Sequence, residues 1–342
     1  MSYSKLILIL IGIISLLPSH LTAAKSERYP LGREDIYVRD PFILADKTSQ
    51  TYYLYAAREY PKGDGSFTVG VGVHTSKDLE NWSSNYPVFQ VEADSWGKDD
   101  VWAPEVHKYQ GKYYLFVTLM ATQEAKRMQD KSLTKRGTQI FVADTPIGPF
   151  KKLAPGPTTP EDWLALDGSL WVEDNQAWMI FCHEWAQITD GTMEAVKMSK
   201  DLSRMISKPQ TLFKATEAPW VVSLASLAPK GKTRPHGYIT DGPWLHKTKS
   251  DELIMIWSSF SKNKYTIGIA RSESGKVTGP WKQDPEPLLD YNGGHGMIFE
   301  DFSGQLRLAL HYPNNHSTAR AYYIPIEDNG NTLSLKQAFQ PK

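Results

Sequence analysis

Two acids, Asp167 and Glu184, bracket a pair of apolar runs within LDGSLWVEDNQAWMIFCHEW, residues 166–185. Glu173 to Gln176 reads as a turn. A hairpin folded about Asp174 and Asn175 would set Asp167 and Glu184 opposite each other, with Cβ atoms about 5 Å apart. Two carboxylates that close do not both ionise cheaply, so one pKa rises, and a general acid is prepared. For one hairpin alone, a pair of solvated acids at a strand end is the alternative reading. The hairpin, however, recurs.

An acid or a Gly-rich turn leads into an apolar strand, a polar turn and a second apolar strand five times, beginning at Asp40, Trp102, Asp167, Asp241 and Gly294. A third strand follows in four copies, ending at Ser76-Lys-Asp-Leu, Ile147-Gly-Pro-Phe, Ser199-Lys-Asp-Leu or Thr278-Gly-Pro-Trp. A short strand after each turn, such as Pro87-Val-Phe or Pro287-Leu-Leu, would complete a four-stranded sheet. Five such units define an all-β chain, a five-bladed β-propeller occupying residues 25–342 as one domain. Two β-sandwiches would not repeat at this period. The Tyr37 region or the strand Tyr322-Tyr-Ile-Pro-Ile is expected to help close the ring. Helical periodicity is nearly absent, and Thr122 to Lys135 reads as a polar loop or short helix.

Inner strands of a propeller start near its axis on one face. Asp40, Glu105 with Trp102, Asp167, Asp241 and His295 should therefore converge on one funnel. Second strands end there too, adding His183, Glu184, Trp185, Ser258 and His311. Carboxylates, histidines and tryptophans gathered in one cavity are poorly explained by stability, because buried charge is costly unless paired or used.

Composition narrows the partner. The 38 basic and 38 acidic residues balance, which gives no basis for a nucleic-acid or anionic-membrane partner. Eleven Trp and seventeen Tyr suit sugar binding, since aromatic faces cover the apolar faces of sugar rings. Residues 1–24 read as a signal peptide: Lys5, an apolar run from Leu6 to Leu17, then Thr22-Ala23-Ala24. The expectation is a periplasmic or secreted monomer, without a lipid-bearing cysteine near the cleavage point and off the membrane once cleaved, acting on a polysaccharide or oligosaccharide. The one cysteine, Cys182, permits no intrachain disulfide and reads as a small buried residue.

Arg39-Asp40-Pro41-Phe42-Ile43, Trp102-Ala103-Pro104-Glu105, Leu166-Asp167-Gly168-Ser169-Leu170, Asp241-Gly242-Pro243-Trp244 and Gly293-Gly294-His295-Gly296 together resemble the blade motifs of glycoside hydrolase family 43. The resemblance runs from about residue 30 to 335. It implies an inverting glycosidase for arabinose-, xylose- or galactose-containing polysaccharides, with Asp40 as general base and Asp167 tuning the acid. Inversion needs acid and base about 6.5–9.5 Å apart, so that a water fits, and opposite walls of a funnel supply that gap. The family usually opens its fourth blade with Glu-Gly-Pro, whereas this chain has Asp241-Gly-Pro. One methylene is lost, and about 1 Å of misplacement can cost two orders of magnitude in rate. Glu184, Asp241 and Glu217 thus stand as alternative proton donors, Glu184 first for its pairing with Asp167.

The resemblance also implies a water-bound cation, often calcium, near His295 on the axis; no cofactor is needed for the chemistry. Trp102, Trp185 and Trp244 read as walls for a sugar ring. Arg39, Glu105, Gln187 with Asp190, and Glu217 read as further contacts for substrate. His74, His107 and His236 carry no pattern and read as surface residues. The expected activity is exo-acting α-L-arabinofuranosidase, taken from frequency in the family. The alternatives are a β-xylosidase or galactosidase of the same fold, a non-catalytic sugar-binding propeller, and a retaining fructan-transferring enzyme.

Overall fold

The computed structural model describes residues 28–126, 132–262 and 264–339. The leader read into residues 1–24 lies outside them. Five antiparallel sheets follow one another along the chain. Blade one is Phe42–Asp46, Thr51–Pro61, Phe67–Ser76 and Tyr86–Gln90, with a short pairing of Leu31–Gly32 to Asn81–Trp82. Blade two is Asp100–Tyr109, Lys112–Lys126, Ser132–Ala143 and Lys151–Lys152. Blade three is Ala165–Glu173, Gln176–His183, Thr192–Lys197 and Gln210–Lys214. Blade four is Asp241–Lys247, Leu253–Ser261, Lys264–Ser272 and Trp281–Gln283, and blade five is Gly294–Glu300, Leu306–Tyr312, Arg320–Asp328 and Leu333–Leu335.

The hairpins form where tight turns are encoded. Asp174 and Asn175 have φ of 51° and 61°, and Gln110 and Gly111 have 45° and 80°; this left-handed pair matches the strand twist of a two-residue turn. The cores lie between blades rather than on the axis. Apolar clusters fill the gaps between blades two and three, three and four, and four and five, and blade one packs on both its neighbours. Strands covered on both faces read as unbroken apolar runs, as in Leu253 to Trp257, all buried.

Two expectations are corrected. The described parts of 122–135 are strand: they extend the second and third strands of blade two, paired from Ala121–Lys135 out to Lys126–Ser132, while 127–131 lie outside the described residues. In blade four the fourth strand is Trp281–Gln283, and Leu289–Asp290 is an extra pairing on the third.

The ring closes without exchange of strands. Val38 N–H donates to Ala319 O (3.2 Å), Arg33 Nη1 to Ala321 O (2.8 Å) and Arg320 Nε to Glu34 O (2.6 Å). Arg33 also lies 4.3 Å above the ring of Tyr322. Both the region around Tyr37 and the C-terminal strand take part.

One backbone device recurs in every blade. Asp40, Ala103, Asp167, Gly242 and His295, one per inner strand, have φ between 44° and 58°. Four sit inside breaks of register, at 102/105, 166/169, 241/244 and 294/297; Asp40 lies just ahead of its strand, with Pro41 between them. A bulge with a left-handed residue bends a strand and re-aims its side chains. For residues other than glycine it costs roughly 1–2 kcal/mol, and such strain clusters at functional sites.

Candidate active site

The bulges deliver their residues into one cavity of about 990 Å³. Its floor carries Asp40, Asp167, Asp241 and His295. His295 Nδ1 is 3.3 Å from Asp40 Oδ1 and 3.8 Å from Asp167 Oδ2, and His311 Nδ1 is 3.2 Å from Asp40 Oδ1. Gly242 N–H donates to Asp167 Oδ2 (3.1 Å), and Tyr265 O–H donates to Asp241 Oδ2 (2.8 Å). The bulges free ladder N–H groups, and each needs an acceptor when buried. Thr118 and Thr138 hydroxyls take those of Asp167 and Gly168, both at 3.0 Å, and Ser258 Oγ takes that of His295 at 2.8 Å. Gly242 has no room for a side chain: a Cβ would meet the His295 ring at 2.9 Å.

The three aspartates are pushed apart in acidity. Burial raises the Asp40 pKa, but His295, His311 and Arg39 outweigh it and hold the carboxyl well below its ordinary value. Burial pushes Asp167 well up; His295 opposes this, while Asp241 and Asp40 add to it. Asp241 is also raised by burial, with Asp40 contributing, against His295 and the Tyr265 hydrogen bond. Burial alone would lower His295, but Asp40, Asp167, Asp241 and Glu105 together raise it. The surrounding acids thus favour positive charge on His295 at the axis, beside one carboxyl held towards its ionised form and two shifted towards their protonated forms.

Glu184 enters the cavity, but not opposite Asp167. The turn pairs Glu173 with Gln176, which already sets Asp167 level with Cys182, and the bulge shifts the register one residue further, so that Glu184 N–H bonds Leu164 O. Arg136 is Glu184's partner: Nε lies 3.2 Å from Oε2 and Nη1 donates to Oε1 at 3.3 Å. The guanidinium also sits 5.1 Å from the Trp102 ring centroid. Trp102 and Trp185 line the cavity, and the Trp185 ring packs so tightly on Gly237 that a Cβ there would lie 2.2 Å away.

Other expected contacts fall elsewhere. Trp244 is not in the cavity lining; it reaches from blade four to Phe42 of blade one and His107 of blade two. Glu105 is buried behind the cavity on His107 Nε2 (2.7 Å). Gln187 ties a loop, accepting from Leu164 N–H (2.7 Å), and His183 stacks on Trp163. Asp190 accepts from Thr216, and Glu217 is exposed, accepting from Lys214 N–H. Glu217 is thus outside the cavity. Arg39 lines it, donating to Asn314 Oδ1 (2.9 Å). His236 is exposed, but His74 is buried on the cavity wall and His107 is largely buried, not at the surface. Cys182 is buried. Among the described residues no group of three or more His, Cys, Asp and Glu is arranged to hold a metal ion. Sequence reasoning missed Arg136, Arg58 and Tyr265; nothing in their local patterns separates them from ordinary strand residues.

Five sheets around a shared acidic cavity define a propeller with the chemistry of acid–base hydrolysis at its axis. Residues 35–331 match the glycosyl hydrolases family 43, and the chain belongs to that family. An endo-arabinase structure from Bacteroides thetaiotaomicron VPI-5482 is 39% identical, with a TM-score of 0.76 over 90% of this chain and 100% of that one. An α-L-arabinofuranosidase structure from Lactobacillus brevis shares the fold at 15% identity, TM-score 0.68, covering 87% and 93% of the two chains. A probable arabinan endo-1,5-alpha-L-arabinosidase C from Aspergillus fumigatus is 29% identical over 134 residues, 34% of this chain and 40% of the relative. The match thus spans less than half the length of that curated relative.

Proposed function

We propose that the protein hydrolyses α-L-arabinofuranosyl linkages of arabinose-containing polysaccharides by single displacement with inversion. Asp40, ionised between two histidines, takes the proton of the attacking water as its oxygen bonds the anomeric carbon. Asp241 gives its proton to the departing glycosidic oxygen, and Asp167 keeps that proton in place by sharing the same buried negative environment. The observation that carries this is the opposite displacement of acidity among carboxyls gathered around the His295 imidazole. Glu184 is the weaker donor, because Arg136 already matches its charge.

The 39% identical endo-arabinase supports arabinan as substrate. A cavity of about 990 Å³ lies at the upper end of ordinary ligand sites, about 300–1,000 Å³. It exceeds one furanose ring, which favours binding of several sugars over the exo-acting reading. The leader-like pattern of residues 1–24 supports export, and we propose action as a monomer on external polysaccharide.

Release of arabinose or its oligomers from arabinan tests the activity, with Asp40→Asn as the blank. Oligomers as first products support internal cleavage; arabinose alone supports exo action. Asp241→Ala should lose polysaccharide turnover yet keep that of an aryl glycoside whose leaving group needs no proton. If Glu184→Ala shows that pattern instead, the donor assignment is wrong.

A further inference from the structure

The cavity has a side that this chemistry leaves unused. The second and third strands of blade one place Arg58 and His74 in its wall, away from the aspartates of the floor. His74 is 3% exposed, and burial lowers its pKa to about 4. The ring is therefore neutral near pH 7. Its Nδ1 lies 2.8 Å from Ser83 O, which only an N–H can satisfy, leaving Nε2 as an acceptor. Arg58 Nη2 donates to that Nε2 at 3.0 Å, and Nη1 donates to Ala57 O at 2.8 Å.

Both anchors are uncharged. Among the described residues no carboxylate pairs with Arg58, although the side chain is half-buried. Asp35 and Glu59 on this side are both exposed. A guanidinium stays charged at any ordinary pH, and withdrawing it from water without a counter-charge is costly. Its planar fork fits the two oxygens of a carboxylate, and neutral anchors fix the fork without cancelling its charge. Arg39, bonded to Asn314 and facing His316, adds positive charge to the same cavity.

We propose that the blade-one wall is a subsite for a carboxylated sugar, a uronic acid residue neighbouring the arabinosyl unit, with Arg58 engaging its carboxylate and His74 setting the fork. The identity of the neighbour rests on the hydrolase reading above; the anion site does not.

The test is calorimetric titration of the Asp40→Asn protein with an arabinosyl-substituted uronic acid oligosaccharide and with its carboxyl-reduced counterpart. With Arg58 present the carboxylate form should bind about tenfold more tightly, the scale of a charge-assisted hydrogen-bonded pair. In Asp40→Asn/Arg58→Gln the ratio should fall to about one. Equal affinities for the two glycans with Arg58 present would overturn the proposal, whatever the folding of the variant. So would a preference that survives Arg58→Gln. If the carboxylate preference is found but the wild-type chain cleaves neither glycan, the hydrolase reading fails and the subsite stands; cleavage without preference gives the reverse.

Discussion

Asp40 and Asp241 face the same imidazole, His295, yet they differ because their other neighbours differ. Arg39 lowers both, but Asp40 has the hydrogen-bonded His311 as well; Asp241 has a phenol and two further acids near by. Activity needs Asp40 ionised and Asp241 protonated. The acid limb of kcat/KM against pH should therefore lie below the ordinary carboxylate range, and the alkaline limb above it. Tyr265 O–H stabilises the Asp241 carboxylate, so Tyr265→Phe should move the alkaline limb to higher pH, measurable in the pH profile on an aryl arabinofuranoside. Asp167 gives a second test. Its raised folded pKa means that the ionised form is disfavoured on folding, so stability is lost as pH rises through the unfolded value of about 3.9 toward the folded one. Asn keeps an acceptor for Gly242 N–H. Asp167→Asn should melt a few degrees higher than the wild type at pH 7, with the gap closing toward pH 4, while turnover on arabinan falls at least a hundredfold.

The recurrent bulge decides which side chains reach the axis. Gly242→Ala would place a Cβ against His295 at φ 53°. Strain of roughly 1–2 kcal/mol and an overpacking cost of about 1–3 kcal/mol should add, seen as an earlier denaturant midpoint and a lower kcat from the displaced ring. The bulge also marks where the sequence was and was not legible. Turns such as Asp174-Asn175 announce their hairpins, because a left-handed pair is cheapest at Asn, Asp and Gly. The repeated hairpins gave the blades, and the strand starts gave Asp40, Asp167, Asp241 and His295. Facing beyond a bulge was not legible, since extra residues shift the register by an amount that tertiary packing sets. Asp167 and Glu184 were paired wrongly for a simpler reason, since a turn that pairs Glu173 with Gln176 sets Asp167 level with Cys182 before any bulge acts, and Trp244 was turned to the cavity although it packs on Phe42 and His107. Arg136 and Arg58 come from ordinary-looking strands, and only the ring brings Arg136 onto Glu184 and Arg58 into the same cavity.

At the scale of the whole molecule, each blade is an uninterrupted stretch of chain, so the first and last share no strand and meet through hydrogen bonds and an apolar cluster that includes Met297 and Phe299. Arg33→Ala removes the bond to Ala321 O and the contact with Tyr322. A charge-assisted bond of about 1.5–3 kcal/mol is the larger of the two, so a loss of about 2 kcal/mol is expected in chemical denaturation, with kcat on arabinan unchanged. The same joint runs through the catalytic centre: Asp40 belongs to blade one, while His295 and His311, which keep it ionised, belong to blade five. Parting of these two sheets by a few ångströms would silence the base while every strand stayed hydrogen-bonded. On heating, such a protein falls quiet before it melts, and its working lifetime is set by one seam and not by its most fragile sheet.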